Sequence, residues 1–257
     1  MKPTEHTSSL GLSIGEPWEI MRTQGLTSDG RVIDLYTKSG DLGSYDGMLV
    51  LIPDFGVTFA LLMGGPNASS VAVQLGVGQL IEALIPVLDA AAKEEAKKNF
   101  AGKYKDEETN STVTLSIDDG PGLRITELVM RDVDVLENFA LYSSPTSKAD
   151  PSAKVEVTPR LYNSGLKTDT QIGFRGIFET GSVEEDAQLD EKLSFNPGAS
   201  CQAFFKLDRT VYGMNSIEDF VFSTSDDGCA DGLEARFWRV KLAREKGHDG
   251  EAGESTM

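Results

Sequence analysis

The chain has 257 residues, 39% of them hydrophobic, which is enough to bury a sizeable core in one large domain or two modest ones. Its 24 Lys and Arg stand against 41 Asp and Glu, and the resulting charge of -17 argues against nucleic acid or an anionic membrane surface as a partner. No apolar run reaches the ~18 residues needed to span a bilayer, and the opening MKPTEHTSSLGLSIGEPW lacks the charged-then-apolar pattern of a signal peptide.

In chain order, Arg31 to Lys38, Gly47 to Pro53 and Val57 to Met63 are β-rich segments joined by glycine-containing turns. They predict an antiparallel meander, with Asp54-Phe55-Gly56 closing a tight hairpin between the last two. Leu35, Tyr36 and Thr37 read as the end of a strand, so Lys38 projects from a sheet and Ser39 and Gly40 follow it directly. The near-continuous apolar runs MLVLIP and VTFALLM suit strands covered on both faces. The cover follows as a helix, capped by Ser69 or Ser70 and ending near Lys97 and Lys98, with Leu80, Ile81, Leu84, Ile85 and Leu88 as its apolar stripe. Pro86 predicts a kink or a split.

From Phe100 the texture changes to short alternating strands: TVTLSI, GLRITELVM, FALYS, GFRGIFE, QAFFKL, DFVFST and EARFWRVKL. About eight strands predict an all-β barrel or sandwich. The expected organisation is α+β, with residues 1–98 as strands plus a helix, 99–245 as the all-β domain and 246–257 as a disordered tail. The acidic stretch Glu179 to Lys192 reads as a solvated loop.

Most catalytic patterns fail on residue type or spacing. Gly76-Val77-Gly78 lacks the third glycine of a dinucleotide fingerprint and sits in a helical segment. His6 and His248 are the only histidines and lie near the two ends, which argues against a Ser-His-Asp triad, a Cys-His dyad or a histidine zinc site. Asp226-Asp227 and Asp132-Val133-Asp134 miss the spacing of a calcium loop, so no metal and no cofactor are expected. Cys201 and Cys229 flank strands of the same β domain and would pair in an oxidising compartment. Asn67-Ala68-Ser69 and Asn110-Ser111-Thr112 fit the N-glycosylation pattern and, with the cysteines, tilt towards a secretory origin.

A serine enzyme that needs no histidine gives Lys38-Ser39-Gly40 a meaning. TKSGDLGSYDGMLVLIPDFGVTFALLMGG followed by a helix resembles the Lys-[Ser/Thr]-Gly strand, reverse hairpin, next strand and C-terminal helix of class C β-lactamases and related penicillin-recognising esterases. GEPWEIMRT upstream and FAGKYKDEETNSTVTL downstream resemble a fungal branch of β-lactamase-like proteins with an appended β domain, often described as lipocalin-like. The resemblance implies acyl-enzyme chemistry on an ester, amide or lactam, in a parent protein that is secreted. It assigns substrate binding to Lys38 through its charge, to Ser39 through its hydroxyl, to Gly40 through close approach, and to the backbone N–H of Asp41 as half of an oxyanion hole. A carboxylate at position 41 departs from the small residue that many relatives carry, and would disfavour anions if it pointed inward.

The family nucleophile lies in a Ser-x-x-Lys motif, with a Tyr-x-Asn element after it, and both precede the Lys-Ser-Gly strand. Neither precedes Lys38 here, and Ser164-Gly165-Leu166-Lys167 matches only as text, after the strand and among β residues. The expectation is a C-terminal portion with no nucleophile of its own, inactive alone, and completed by an N-terminal half that carries Ser-x-x-Lys. The alternative is a non-catalytic ligand-binding or structural β-barrel, with a cavity lined by Phe and Tyr from QAFFKL, DFVFST and FALYS.

Overall fold

The computed structural model of the protein describes residues 3–142, 156–180, 183–193 and 207–245. The chain divides into two compact units, residues 1–95 and 96–257. Among the described residues strands dominate both, and a long helix occurs once.

The first unit is a six-stranded antiparallel sheet in sequence order: β1 (Glu5–His6), β2 (Leu12–Gly15), β3 (Trp18–Thr23), β4 (Ile33–Leu42), β5 (Tyr45–Ile52) and β6 (Val57–Gly64). A single 3₁₀ turn, Pro53–Phe55, joins the last two strands and is closed by Gly56 in the left-handed region. β4 is longer than the sequence suggested, and Lys38-Ser39-Gly40 stands inside it rather than at its end. Alternation explains which face is buried: Ile33 and Leu35 of β4 and Met48, Val50 and Ile52 of β5 point to one side, where a helix covers them.

That helix, α1 (Ser70–Phe100), is started by Ser69, whose Oγ accepts the Ala72 N–H at 3.2 Å. Its buried line is Val73, Val77, Ile81, Ile85 and Asp89, spaced four apart, whereas Leu80 of the expected stripe is exposed. Pro86 neither splits nor ends it. The ring occupies the exposed face, where water can satisfy the Glu82 carbonyl that loses its N–H partner. Running through the proline, α1 is long and apolar enough to cross a membrane by length and composition, which corrects the expectation drawn from uninterrupted runs.

In the second unit the strands are β7 (Gly102–Asp106), β8 (Ser111–Ser116), β9 (Leu123–Met130), β10 (Val133–Asp134), β11 (Val157–Lys167) and β12 (Gln171–Thr180). After α2 (Val183–Lys192) come β13 (Val211–Tyr212), β14 (Asn215–Ser216), β15 (Asp219–Thr224), β16 (Ala230–Ala235) and β17 (Val240–Arg244). The sheet runs β10-β9-β11-β12-β15-β16-β17-β7-β8, and β8 also pairs with β9, so eight strands close into an antiparallel barrel from which β10 extends. β13 and β14 form a separate hairpin.

The barrel is filled by side chains. Phe222 is fully buried, with ring centroids of Phe174, Phe100 and Tyr104 at 4.8, 5.0 and 5.7 Å. Three expectations change here. FALYS is a 3₁₀ turn (Phe139–Tyr142) rather than a strand, and EARFWRVKL is two strands around a turn in which Arg239 takes a positive φ. The acidic stretch read as a loop contains α2. Residues 246–257 and most of QAFFKL lie outside the described residues, as does Cys201, and with it the expected disulfide. The half-buried Cys229 thiol donates to Asn99 Oδ1 at 3.5 Å.

Arg244 closes the end of α1. Its guanidinium donates to the carbonyls of Lys98 and Asn99, which a helix end leaves unpaired, and to those of Ala101 and Ala230, at 2.5 to 3.1 Å. Replacing Arg244 by Met is expected to cost about 2 kcal/mol of stability, read by denaturant unfolding of the whole chain, because four carbonyls, three of them in part-buried contacts, lose a charged donor at once.

Candidate functional site

The site is built from the end of β4 and the strand it turns into. Gly43, with a φ of 63°, and Ser44 make the two-residue turn that sets Leu42 opposite Tyr45, and the register continues as Asp41 with Asp46, Gly40 with Gly47, Ser39 with Met48 and Lys38 with Leu49. On its other side β4 pairs with β3 only as far as Thr37, opposite Glu19. From Lys38 to Leu42, therefore, one edge of the strand has no paired strand among the described residues. An open groove of about 640 Å³ runs along this segment, lined by residues 38–42 and 45–49 together with Ala60, Leu62 and Met63.

Two facing glycines form part of its wall. A Cβ on Gly47 would meet Leu62 Cδ2 at 2.6 Å, so the exposed Leu62 side chain would have to shift, whereas a Cβ on Gly40 would meet nothing within 4 Å. Gly40 leaves free surface that a ligand backbone could approach.

The polar groups are asymmetric. Lys38 Nζ lies 2.9 Å from Glu19 Oε1 and donates to its neighbour's carbonyl, Ser39 O, at 3.0 Å. Ser39 Oγ lies 3.3 Å from each oxygen of the same Glu19 carboxylate. Thr37 anchors this pairing by donating from Oγ1 to the Glu19 carbonyl at 2.8 Å. Asp41 is exposed, while Asp46 across from it is buried, with an Oδ1 that no hydrogen bond satisfies. Burial, reinforced by the Asp41 charge, raises the Asp46 carboxyl above the usual carboxylate range.

All four residues expected to bind substrate, Lys38, Ser39, Gly40 and Asp41, thus line one groove. Sequence reasoning missed Glu19. It lies nineteen residues before Lys38 and reaches it only through the β3–β4 register, which no local pattern announces.

The other sequence matches fall elsewhere. Ser164 sits on β11, exposed, with its hydroxyl donating to the Gly173 carbonyl at 2.7 Å, and Lys167 ends the same strand, so the pair is not set on a helix. Gly76 and Gly78 lie inside α1. His6 is in β1 with Nδ1 3.1 Å from Ser13 Oγ, and His248 lies outside the described residues. Asp134 and Asp227 accept backbone N–H groups of their own turns. Among the described residues, no three His, Cys, Asp or Glu converge as a metal site would require.

The family model described as "Beta-lactamase-like-like, C-terminal domain" matches residues 92–246. A "Beta-lactamase-like protein" of Arthroderma benhamiae is 32% identical over 267 residues, covering 93% of this chain and 42% of the relative. "Probable hydrolase clz13" of Cochliobolus lunatus is 30% identical over 155 residues, 59% of this chain and 25% of the relative. "Probable hydrolase M10" of a Phoma species is 32% identical over 127 residues, 48% and 21% respectively. The chain thus spans less than half the length of the relatives it matches. Among solved structures, the octameric penicillin-binding protein homologue from Pyrococcus abyssi aligns over 95% of this chain and 40% of its own, at 12% identity and a TM-score of 0.30, too slight a likeness to carry an argument. With its model matching more than half of the residues, including the whole described barrel, the chain belongs to the β-lactamase-like C-terminal domain family.

Proposed function

We propose that this chain is the C-terminal part of a β-lactamase-like serine hydrolase or transesterase and supplies one wall of an acyl-enzyme site. The observation that carries this reading is the open edge of β4 from Lys38 to Leu42 beside a groove of about 640 Å³. Lys38 and Ser39 orient an ester, amide or lactam, Gly40 admits it to the strand, and the Asp41 N–H is one of two donors to the oxyanion. The hydrolase names of the fungal relatives support the reaction class. The nucleophile and its base, from Ser-x-x-Lys and Tyr-x-Asn, come from an N-terminal half, and the chain alone is inactive. The closed eight-stranded meander of the second unit supports a lipocalin-like description of residues 99–245. Its packed rings favour a structural role over the ligand-cavity alternative.

The test is hydrolysis of nitrocefin and p-nitrophenyl esters. The chain alone is expected to give no turnover above background, and the chain joined to an N-terminal half carrying Ser-x-x-Lys is expected to be active. In that context Lys38→Ala should lower kcat/KM by about 10²-fold or more, as for loss of an oriented charged donor. Gly40→Ala should do so without loss of stability, because its methyl group meets open space until a substrate arrives. Turnover by the chain alone that Ser164→Ala abolishes would refute the proposal.

A further inference from the structure

The Lys38–Ser39 pair is already engaged from within the chain. Glu19 faces the same side of the sheet as Thr37, and therefore as Ser39 and Asp41 two and four residues on. Its carboxylate bridges the Lys38 ammonium at 2.9 Å and the Ser39 hydroxyl at 3.3 Å, the geometry with which an ammonium and a hydroxyl would hold the carboxylate of a ligand. Beyond it on that face stand Asp41 and, directly opposite, Asp46 with its unsatisfied buried oxygen. The end of β4 therefore sets two further acidic residues on the face that carries Glu19, which is paired with Lys38.

We propose that Glu19 sets the substrate class of this groove, acting as a built-in counter-ion that excludes ligands with a free carboxylate and reserves the site for uncharged or amine-bearing acyl compounds. This inference rests on the reading of Lys38 to Asp41 as a substrate wall. An incoming carboxylate has to displace Glu19 from both partners. It exchanges one set of charge-assisted hydrogen bonds for another and then meets two further negative groups, Asp41 and the displaced Glu19 itself. An ester or lactam carbonyl accepts from the main-chain donors and from the N–H of the Lys38 ammonium that Glu19 and the Ser39 carbonyl do not use, so the ion pair stays in place, and an ammonium group is attracted by the surplus charge. The fold has little need of the contact, since an ion pair whose side chains are 46% and 32% exposed adds little stability.

The experiment uses the chain itself and two probes of one shape, benzylpenicillin and its uncharged methyl ester, titrated while the amide resonances of Ser39, Gly40 and Asp41 are followed by NMR. The wild-type chain is expected to take the ester more tightly than the acid. Glu19→Gln should tighten the acid about fivefold, the upper end for releasing an exposed ion pair, and leave the ester within about twofold. Glu19→Ala should act in the same direction, and Glu19→Gln combined with Lys38→Ala should lose the gain. Equal response of wild type and Glu19→Gln to the acid, whether both bind or neither does, overturns the inference, as does an equal gain for the ester. The readout is binding to this chain. A failed wall reading would instead show itself as activity of the completed enzyme that does not depend on Lys38.

Discussion

Phe222→Ala is expected to destabilise the barrel by about 3–5 kcal/mol, the range for removing a large buried aromatic side chain. The residue has no exposed surface, and the rings of Phe100, Tyr104 and Phe174 surround it with centroids 4.8 to 5.7 Å away. Its loss removes both apolar burial and the tilted ring contacts, which the closed wall of eight strands cannot recover by collapsing. Denaturant unfolding followed by the fluorescence of Trp238, which is in the same unit, measures the effect. A change below about 1 kcal/mol would mean that the interior is loosely filled, and would revive the reading of the barrel as a ligand container.

Asp89→Ala should be nearly as damaging in the first unit, at about 3 kcal/mol. This carboxylate sits on the buried line of α1 and accepts from the Ser28 N–H at 3.1 Å, the Ser28 hydroxyl at 2.8 Å and Arg31 at 3.1 Å. Burial alone would push its carboxyl up, but the Ser28 donors and the Arg31 guanidinium outweigh it and hold the group below the ordinary carboxylate value. Asp29, which pairs with the same guanidinium, is lowered in the same way. A carboxyl lowered in the folded state contributes stability that is complete above the unfolded value, near pH 4, and is lost as the pH falls through the folded one. Asp89→Asn should therefore flatten the loss of stability below about pH 4, measured by thermal melts across pH. An unchanged acid slope would show that the network does not couple to folding.

These two clusters mark what a sequence can and cannot announce. The serine cap of α1, the hairpin at Gly56 and the apolar faces of β4 and β5 follow from residue type and short spacing, and they appear where those signals stand. Lys38 to Asp41 were identifiable as site residues because the triplet and its following hairpin are contiguous. Glu19 and Asp89 were not, because their roles depend on partners nineteen and about sixty residues away, and register or packing alone joins them. Asp89 stands in a helical pattern as one more polar residue, and only the buried face shows that it is an anchor. α2 was hidden for a different reason. Its acidic residues match no apolar period, and a charged helix of ten residues looks like a solvated loop until the backbone is seen.

The two sheets also differ in how they end. The barrel closes by joining β8 to β9, whereas among the described residues the first sheet stops at β6, eight residues of Val-Thr-Phe-Ala-Leu-Leu-Met-Gly with one bonded neighbour. Proteins normally guard such a margin with lysine, proline or a bulge, and β6 contains neither residue and pairs with β5 in unbroken register. Strand addition between copies therefore has in β6 a longer and more apolar entry point than the polar open end of β4. When heat or acid loosens the chain, the first unit should seed insoluble material through β6 while the barrel stays out of it, and a lysine in place of Thr58 would act as a gatekeeper without touching the barrel's melting transition.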